Sequence, residues 1–316
     1  MCKIMLPLGI AGMLFGLFPP AADAQTLVTY VSTSGNNTNT CGTPAAACDT
    51  FQRAINHTLA GGTVRVLTPG SFGAASITAA LSIIADGVEG GIIGAATGSP
   101  ASGVFINAGP NDVVNLRGLL VDPSGSQHGI SFISGAALRL ENCVIRRGVL
   151  ALNFAPSAAS ELYVSNCTIT DPNPPGNSPG IFIQPTGAGS AKVVLDRVHV
   201  ENRLRGIMID HASGTGTIDV TVRDSVTAGN TAEGIWANTS GGIRVTVMVD
   251  RTASVNNGTG VFANGVGAIV RIGDSTVTGN GVGFSSATGG QIVSYQTNKL
   301  VANVTDGAPS STVPYK

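Results

Sequence analysis

One short pattern is written six times between residues 138 and 275. Leu138-Arg-Leu-Glu-Asn-Cys143 returns as Leu162-Tyr-Val-Ser-Asn-Cys167. The same strand recurs as Val193-Val-Leu-Asp-Arg197, Val220-Thr-Val-Arg-Asp-Ser225, Val247-Met-Val-Asp-Arg251 and Val270-Arg-Ile-Gly-Asp-Ser275. The first apolar positions are separated by 24, 31, 27, 27 and 23 residues. Two positions on, Leu140, Val164, Leu195, Val222, Val249 and Ile272 are apolar too; a third column runs Ile145, Ile169, Val200, Thr227, Ser254, Val277. Period-2 alternation puts the first two columns on one face and the residue between them on the other. A unit this short cannot bury its own apolar face. Coils must therefore stack, like residue over like residue, at roughly 4.8 Å per coil. The expected architecture is all-β: a solenoid of about nine coils.

A second strand opens on Gly129-Ile130, Gly180-Ile181, Gly206-Ile207, Gly234-Ile235, Gly260-Val261 and Gly281-Val282. Each Gly marks a turn that needs an unusual φ or a close backbone approach. Asn202, Asn230, Asn257 and Asn280 precede these glycines and read as an internal asparagine ladder. Cys143 and Cys167 share a column with Ser225, Thr252 and Ser275; two stacked buried thiols are favoured there over a bridge. Uneven steps place loops of variable length at one corner, the longest being residues 171–179. Residues 49–59 carry Phe51, Ile55 and Leu59 at four-residue spacing. With Asp49 as N-cap, they read as a short helix plugging the open first coil.

Charged residues make up only 11% of the chain and the net charge is −1, with no Lys/Arg run. Phosphate binding needs clustered cations, so nucleic acid is excluded as a partner, as is a polybasic membrane contact. Lys3, an apolar stretch over 4–18 and Ala22-Asp23-Ala24 read as an export leader, residues 1–24. The expected protein is secreted or periplasmic, with no membrane span in the mature chain. In that setting Cys41 and Cys48 form a local disulfide. The expected division is a cap over 25–62, the solenoid over 63–300 and a tail over 301–316.

These residues resemble the right-handed parallel β-helix repeat proteins of the pectate-lyase-like superfamily. The N-terminal stretch is similar to a recurring entry module: strand, Ser32-Thr-Ser-Gly-Asn36, Cys loop, capping helix, then Gly61-Gly-Thr-Val-Arg-Val-Leu-Thr-Pro-Gly70. The resemblance covers residues 27–305 and implies a right-handed single-stranded parallel β-helix with a short capping helix. It is specific for architecture and weak for function. Polygalacturonase-like and pectin-esterase motifs are absent. The Asp-Pro-His of alginate epimerases is present only as Asp122-Pro123 and Asp171-Pro172. Pectate lyases imply a calcium-holding acidic cluster, for which Asp196, Asp224 and Asp250 are lone candidates. No metal site and no cofactor are expected, calcium being implied only for a lyase.

Two outward rows carry candidate chemistry. Phe182, Met208, Trp236 and Phe262 form an apolar stripe, and Gln184, Asp210, Asn238 and Asn264 a polar one. Apolar rings beside hydrogen-bonding groups suit a glycan; the same stripe suits cover by a loop or an oligomer contact. The best catalytic set is Arg205, Asp210 and His211, with Arg203 and Trp236 nearby, since a lyase needs a base and cations for the developing negative charge. Against it, strand neighbours such as Asp210 and His211 face opposite sides. Three functions remain: a non-catalytic glycan-binding or surface-structural protein, a polysaccharide lyase acting on a uronate glycan, and an adhesin-like protein.

Overall fold

The computed structural model describes residues 25–94, 101–123, 128–171, 179–211 and 214–314. The expected leader and most of the 171–179 loop lie outside these residues. Successive coils feed three parallel sheets of twelve, ten and nine strands. A typical coil runs through the first sheet at Ala137–Glu141, the second at Val144–Arg146 and the third at Leu152–Phe154. The register stacks Leu138, Leu162, Val193, Val220, Val247 and Val270 directly over one another, with Leu140, Val164, Leu195, Val222, Val249 and Ile272 as the parallel inner column. All twelve side chains are buried, each worth ~1.5–3 kcal/mol of hydrophobic stabilisation.

The corner between the first and second sheets is one residue in the left-handed region: Asn142, Asn166, Arg197, Asp224, Arg251 and Asp274, at φ 43 to 54°. The next side chain turns inward and serves the coil before it. Cys167 Sγ accepts from Cys143 N at 3.3 Å, Ser225 Oγ from Val198 N at 3.0 Å, and Ser275 Oγ from Thr252 N at 3.1 Å. A backbone N–H left over by the turn thus selects a small acceptor, which explains the Cys/Ser/Thr column. Cys143 and Cys167 are free, buried thiols. The hydrogen bond with Cys143 and burial hold the Cys167 thiol above the usual range.

The asparagine ladder stands at Asn230, Asn257 and Asn280 as expected, continues to Asn303, and does not include Asn202. Asn230 Nδ2 donates to Asn257 Oδ1 (2.8 Å), Asn257 to Asn280 (3.1 Å) and Asn280 to Asn303 (2.8 Å). Asn202 instead occupies a left-handed turn position at φ 54°. The ladder column in that coil holds Arg203, whose backbone N–H bonds Asn230 Oδ1 at 3.1 Å. The ladder also accounts for the recurring glycine. A Cβ on Gly234 would lie 2.3 Å from Ser254 Oγ and 2.8 Å from Asn257 Nδ2, so the amide rests directly on the bare Cα. These glycines are selected by close approach.

Three expectations are corrected at the ends. The cap helix spans Phe51–Asn56 with Thr50 as N-cap, its side chain accepting from Arg53 N. Leu59 is not on the helix but in the strand Thr58–Val66, where it is exposed, so the first coil begins before residue 63. At the other end the third-sheet column continues through Phe284, in register with Val261, and not through Val282. The tail crosses the last coil: Gly283 and Phe284 donate to Thr305 and Asp306 carbonyls, and Ser311–Thr312 is the twelfth strand of the first sheet. Its exposed residues cover a sheet edge that would otherwise offer unpaired backbone.

Candidate functional site

The outer face of the third sheet collects the predicted binding residues. Phe182, Met208, Trp236 and Phe262 stack in register, and Asp210, Asn238 and Asn264 in the next outward column. All eight residues of the two rows are partly or largely buried on this face. The apolar stripe is bounded. Below Phe182 the column is Asn153 and Ser131, and above Phe262 it is Ser285.

The polar row is one directed chain of hydrogen bonds. Gln184 Nε2 donates to Asp210 Oδ2 at 3.2 Å and Asn238 Nδ2 to Asp210 Oδ1 at 2.8 Å. Asn264 Nδ2 donates to Asn238 Oδ1 at 2.7 Å. Every amide thus points a donor toward Asp210 from one side or the other. The carboxylate is held by its neighbours along the row.

Trp236 is sandwiched along the solenoid axis. The Arg205 guanidinium lies 4.5 Å from its ring centre, and Phe262 stacks at 6.2 Å and 16°. Both ring faces are therefore occupied, and what the stripe turns outward is ring edge. Arg205 also donates to Glu233 Oε2 at 2.6 Å. The sequence reading missed Glu233. It lies 28 residues after Arg205, the same step as Met208 to Trp236, so the repeat offset alone identifies its column.

The catalytic candidates do not converge. Asp210 faces outward, while His211 is completely buried, its ring nitrogens without a hydrogen-bond partner. Arg205 is committed to Glu233 and Trp236. Arg203 leaves the site altogether. It is fully buried, bonding Asp171 Oδ2 (3.0 Å) and the carbonyls of Arg147, Gly148 and Pro179. Burial pulls its guanidinium down to about 10, against the opposing pull of Asp171. Lower on the same face, Ser131 bonds Ser102 and the Nδ1 of His128, whose imidazole burial holds below its usual range. His199 pairs with Glu201 on the second sheet.

The residues do not fit a calcium ion of the pectate-lyase kind. Among the described residues no group of three or more His, Cys, Asp or Glu stands together to hold a metal. The lone acids are already neutralised: Asp196 pairs with Arg197 and Arg223, and Asp224 and Asp250 both pair with Arg251. A groove of about 560 Å³ lies at the other end of the molecule, beside the cap helix. Its lining, including Gln25, Gln52, Asn56 and Thr58, carries no titratable group.

The fold is shared with carbohydrate-active proteins. The pectate lyase Pel9A is similar with a TM-score of 0.64 at 14% identity, over 91% of this chain and 80% of that one. The A-module of the Azotobacter vinelandii mannuronan C-5 epimerase AlgE4 is similar at 0.50 and 12% identity, over 92% and 89%. At these identities the likeness is one of fold. No curated protein matches the chain. The family model described as the right-handed β-helix region matches residues 102–305, most of the chain. With its parallel three-sheet coils and that match, the chain belongs to the right-handed β-helix family.

Proposed function

We propose that this β-helix is a non-catalytic carbohydrate-binding protein that holds a polysaccharide along the outer face of its third sheet. One observation carries the reading: a four-coil row of hydrogen-bonding groups, Gln184 to Asn264, runs beside an apolar wall of the same length. Sugar hydroxyls suit the row and sugar C–H groups suit the wall. The row spans about 14 Å at the pitch of stacked strands, room for a short stretch of glycan. Lyase chemistry at this face is disfavoured because Arg205 is paired and Asp210 is bonded from both sides, so among its described residues no base stands free beside a free cation. The expected leader and the Cys41–Cys48 disulfide support a place outside the cytoplasm.

The test is affinity electrophoresis against a panel of soluble polysaccharides, with product formation followed in parallel. The expected result is retardation on at least one polymer, weakened tenfold or more in Gln184→Leu and Asn264→Leu, with no unsaturated product and no new reducing ends. Trp236→Ala is a poor probe, because it dismantles the Arg205–Trp236–Phe262 stack. Turnover of any polymer overturns the non-catalytic reading. Retardation unchanged in both variants overturns this face as the site.

A further inference from the structure

We infer that this face selects a neutral, hydroxyl-rich polysaccharide and rejects polyuronates. The inference rests on the binding reading above and deepens it.

Charge is the first ground. The titratable groups of the face are Arg205, Glu233 and Asp210, with His128 at its lower end. Arg205 is spent on Glu233 and on Trp236, and Nδ1 of His128 on Ser131. That leaves Asp210 as the one uncompensated charge among these groups. It is only 8% exposed, so solvent screens it weakly. A uronate carboxylate laid along the row meets a fixed like charge and no free cation.

Hydrogen-bond polarity is the second ground. One N–H of each amide is directed toward Asp210. The row keeps Gln184 Oε1, Asn264 Oδ1 and the remaining lone pairs of Asp210 as acceptors, with only the second amide N–H groups as donors. A hydroxyl can donate to the first set and accept from the second. An ionised carboxylate only accepts, and finds its partners in the minority. Both grounds point the same way, and both follow from placing an Asp at the centre of a row of amides.

The test uses polymers matched in linkage: polygalacturonate, alginate and a glucuronan, each beside its carboxyl-reduced neutral product. The native mature chain is compared with Asp210→Asn, which keeps the side-chain shape, and with Asn264→Leu. The expected result is at least tenfold tighter retardation on one or more reduced polymers than on the parent acid. That preference falls to a few-fold or less in Asp210→Asn, and Asn264→Leu weakens the reduced polymer. Equal or tighter retardation on a polyuronate, lost in Asn264→Leu, overturns the selectivity and leaves the binding face standing. Retardation on none of the reduced polymers, or retardation indifferent to Asn264→Leu, overturns the face and the selectivity together.

Discussion

Replacing Asp171 by Asn should be one of the most damaging single changes in the molecule, although it belongs to none of the apolar ladders. Arg203 is fully buried, and its charge is balanced by Asp171 at 3.0 Å. Even with that partner, burial draws the guanidinium from the usual arginine value to about 10. That gap corresponds to about 3 kcal/mol already charged against the folded state. The Asp171→Asn change would keep a hydrogen-bond acceptor but remove the counter-charge, and breaking a buried pair this way costs about 3–5 kcal/mol. The assay is built in. Trp236 is the sole tryptophan and lies two coils above Asp171, so its fluorescence in urea follows this part of the solenoid. With a denaturant slope of about 3 kcal/mol per molar, the midpoint falls by about 1–1.7 M. The pair Asp171→Leu with Arg203→Met should stand above the Asp171 single variant, because no charge is then left buried. A midpoint for Asp171→Asn within about 0.3 M of the native protein refutes the reasoning, since it means the interior tolerates an unpaired guanidinium.

Asn257→Ala removes bonds to Asn280 Oδ1, Thr227 O and Ser254 Oγ and strips the acceptor from Asn230 N. It should cost about 3 kcal/mol, against about 1 kcal/mol for Asn202→Ala, where only left-handed strain is at stake; thermal melts separate the two. Cys143 and Cys167 should resist an aromatic disulfide reagent in the native protein and react together once urea unfolds it. Immediate labelling of either would contradict their burial. Reducing Cys41–Cys48, which closes a loop of sequence separation 7, should lower stability by about 2 kcal/mol, read as a shift of the urea midpoint.

The columns of the solenoid were legible because their signal is redundant. Leu138 through Val270 repeats one residue class six times on one face, and the observed register reproduces it coil for coil. Single-residue assignments at turns lacked that redundancy. Asn230 precedes its glycine by four residues, while Asn257 and Asn280 precede Gly260 and Gly283 by three. Spacing could therefore not choose between Asn202 and Arg203. Residue type favoured Asn202, and one step of chain reverses which way a side chain points. Val282 failed likewise: Gly281 imitates the column glycine, but Gly283 sits beneath the amide of Asn303. At the candidate site, membership of the two rows was visible from the repeat, whereas the direction of the amides and the orientation of Trp236 depend on packing between coils. Nothing in a period reveals which face of an indole a neighbouring Arg will cover.

The 31-residue step between Leu162 and Val193 explains why an arginine stands in a ladder of asparagines. The extra residues, an excursion from the usual repeat length, fall in sequence between Asp171 and Pro179, the first residue of the next third-sheet strand. Arg203 touches both ends of that excursion, the Asp171 carboxylate and the Pro179 carbonyl, and reaches down to the carbonyls of Arg147 and Gly148 in the coil below. An asparagine in the ladder column is too short for this, and a lysine lacks the fork of donors needed for four acceptors. The strand that begins at Pro179 carries Phe182 into the apolar stripe, and Gln184 follows as the first member of the polar row. A slip of one residue across the excursion would send Phe182 and Gln184 into the core and Ile181 and Ile183 outward. The buried ion pair therefore does for register what Asn–Asn pairs do elsewhere in the column. It fixes the outward alignment of the face at a coil whose length departs from its neighbours'.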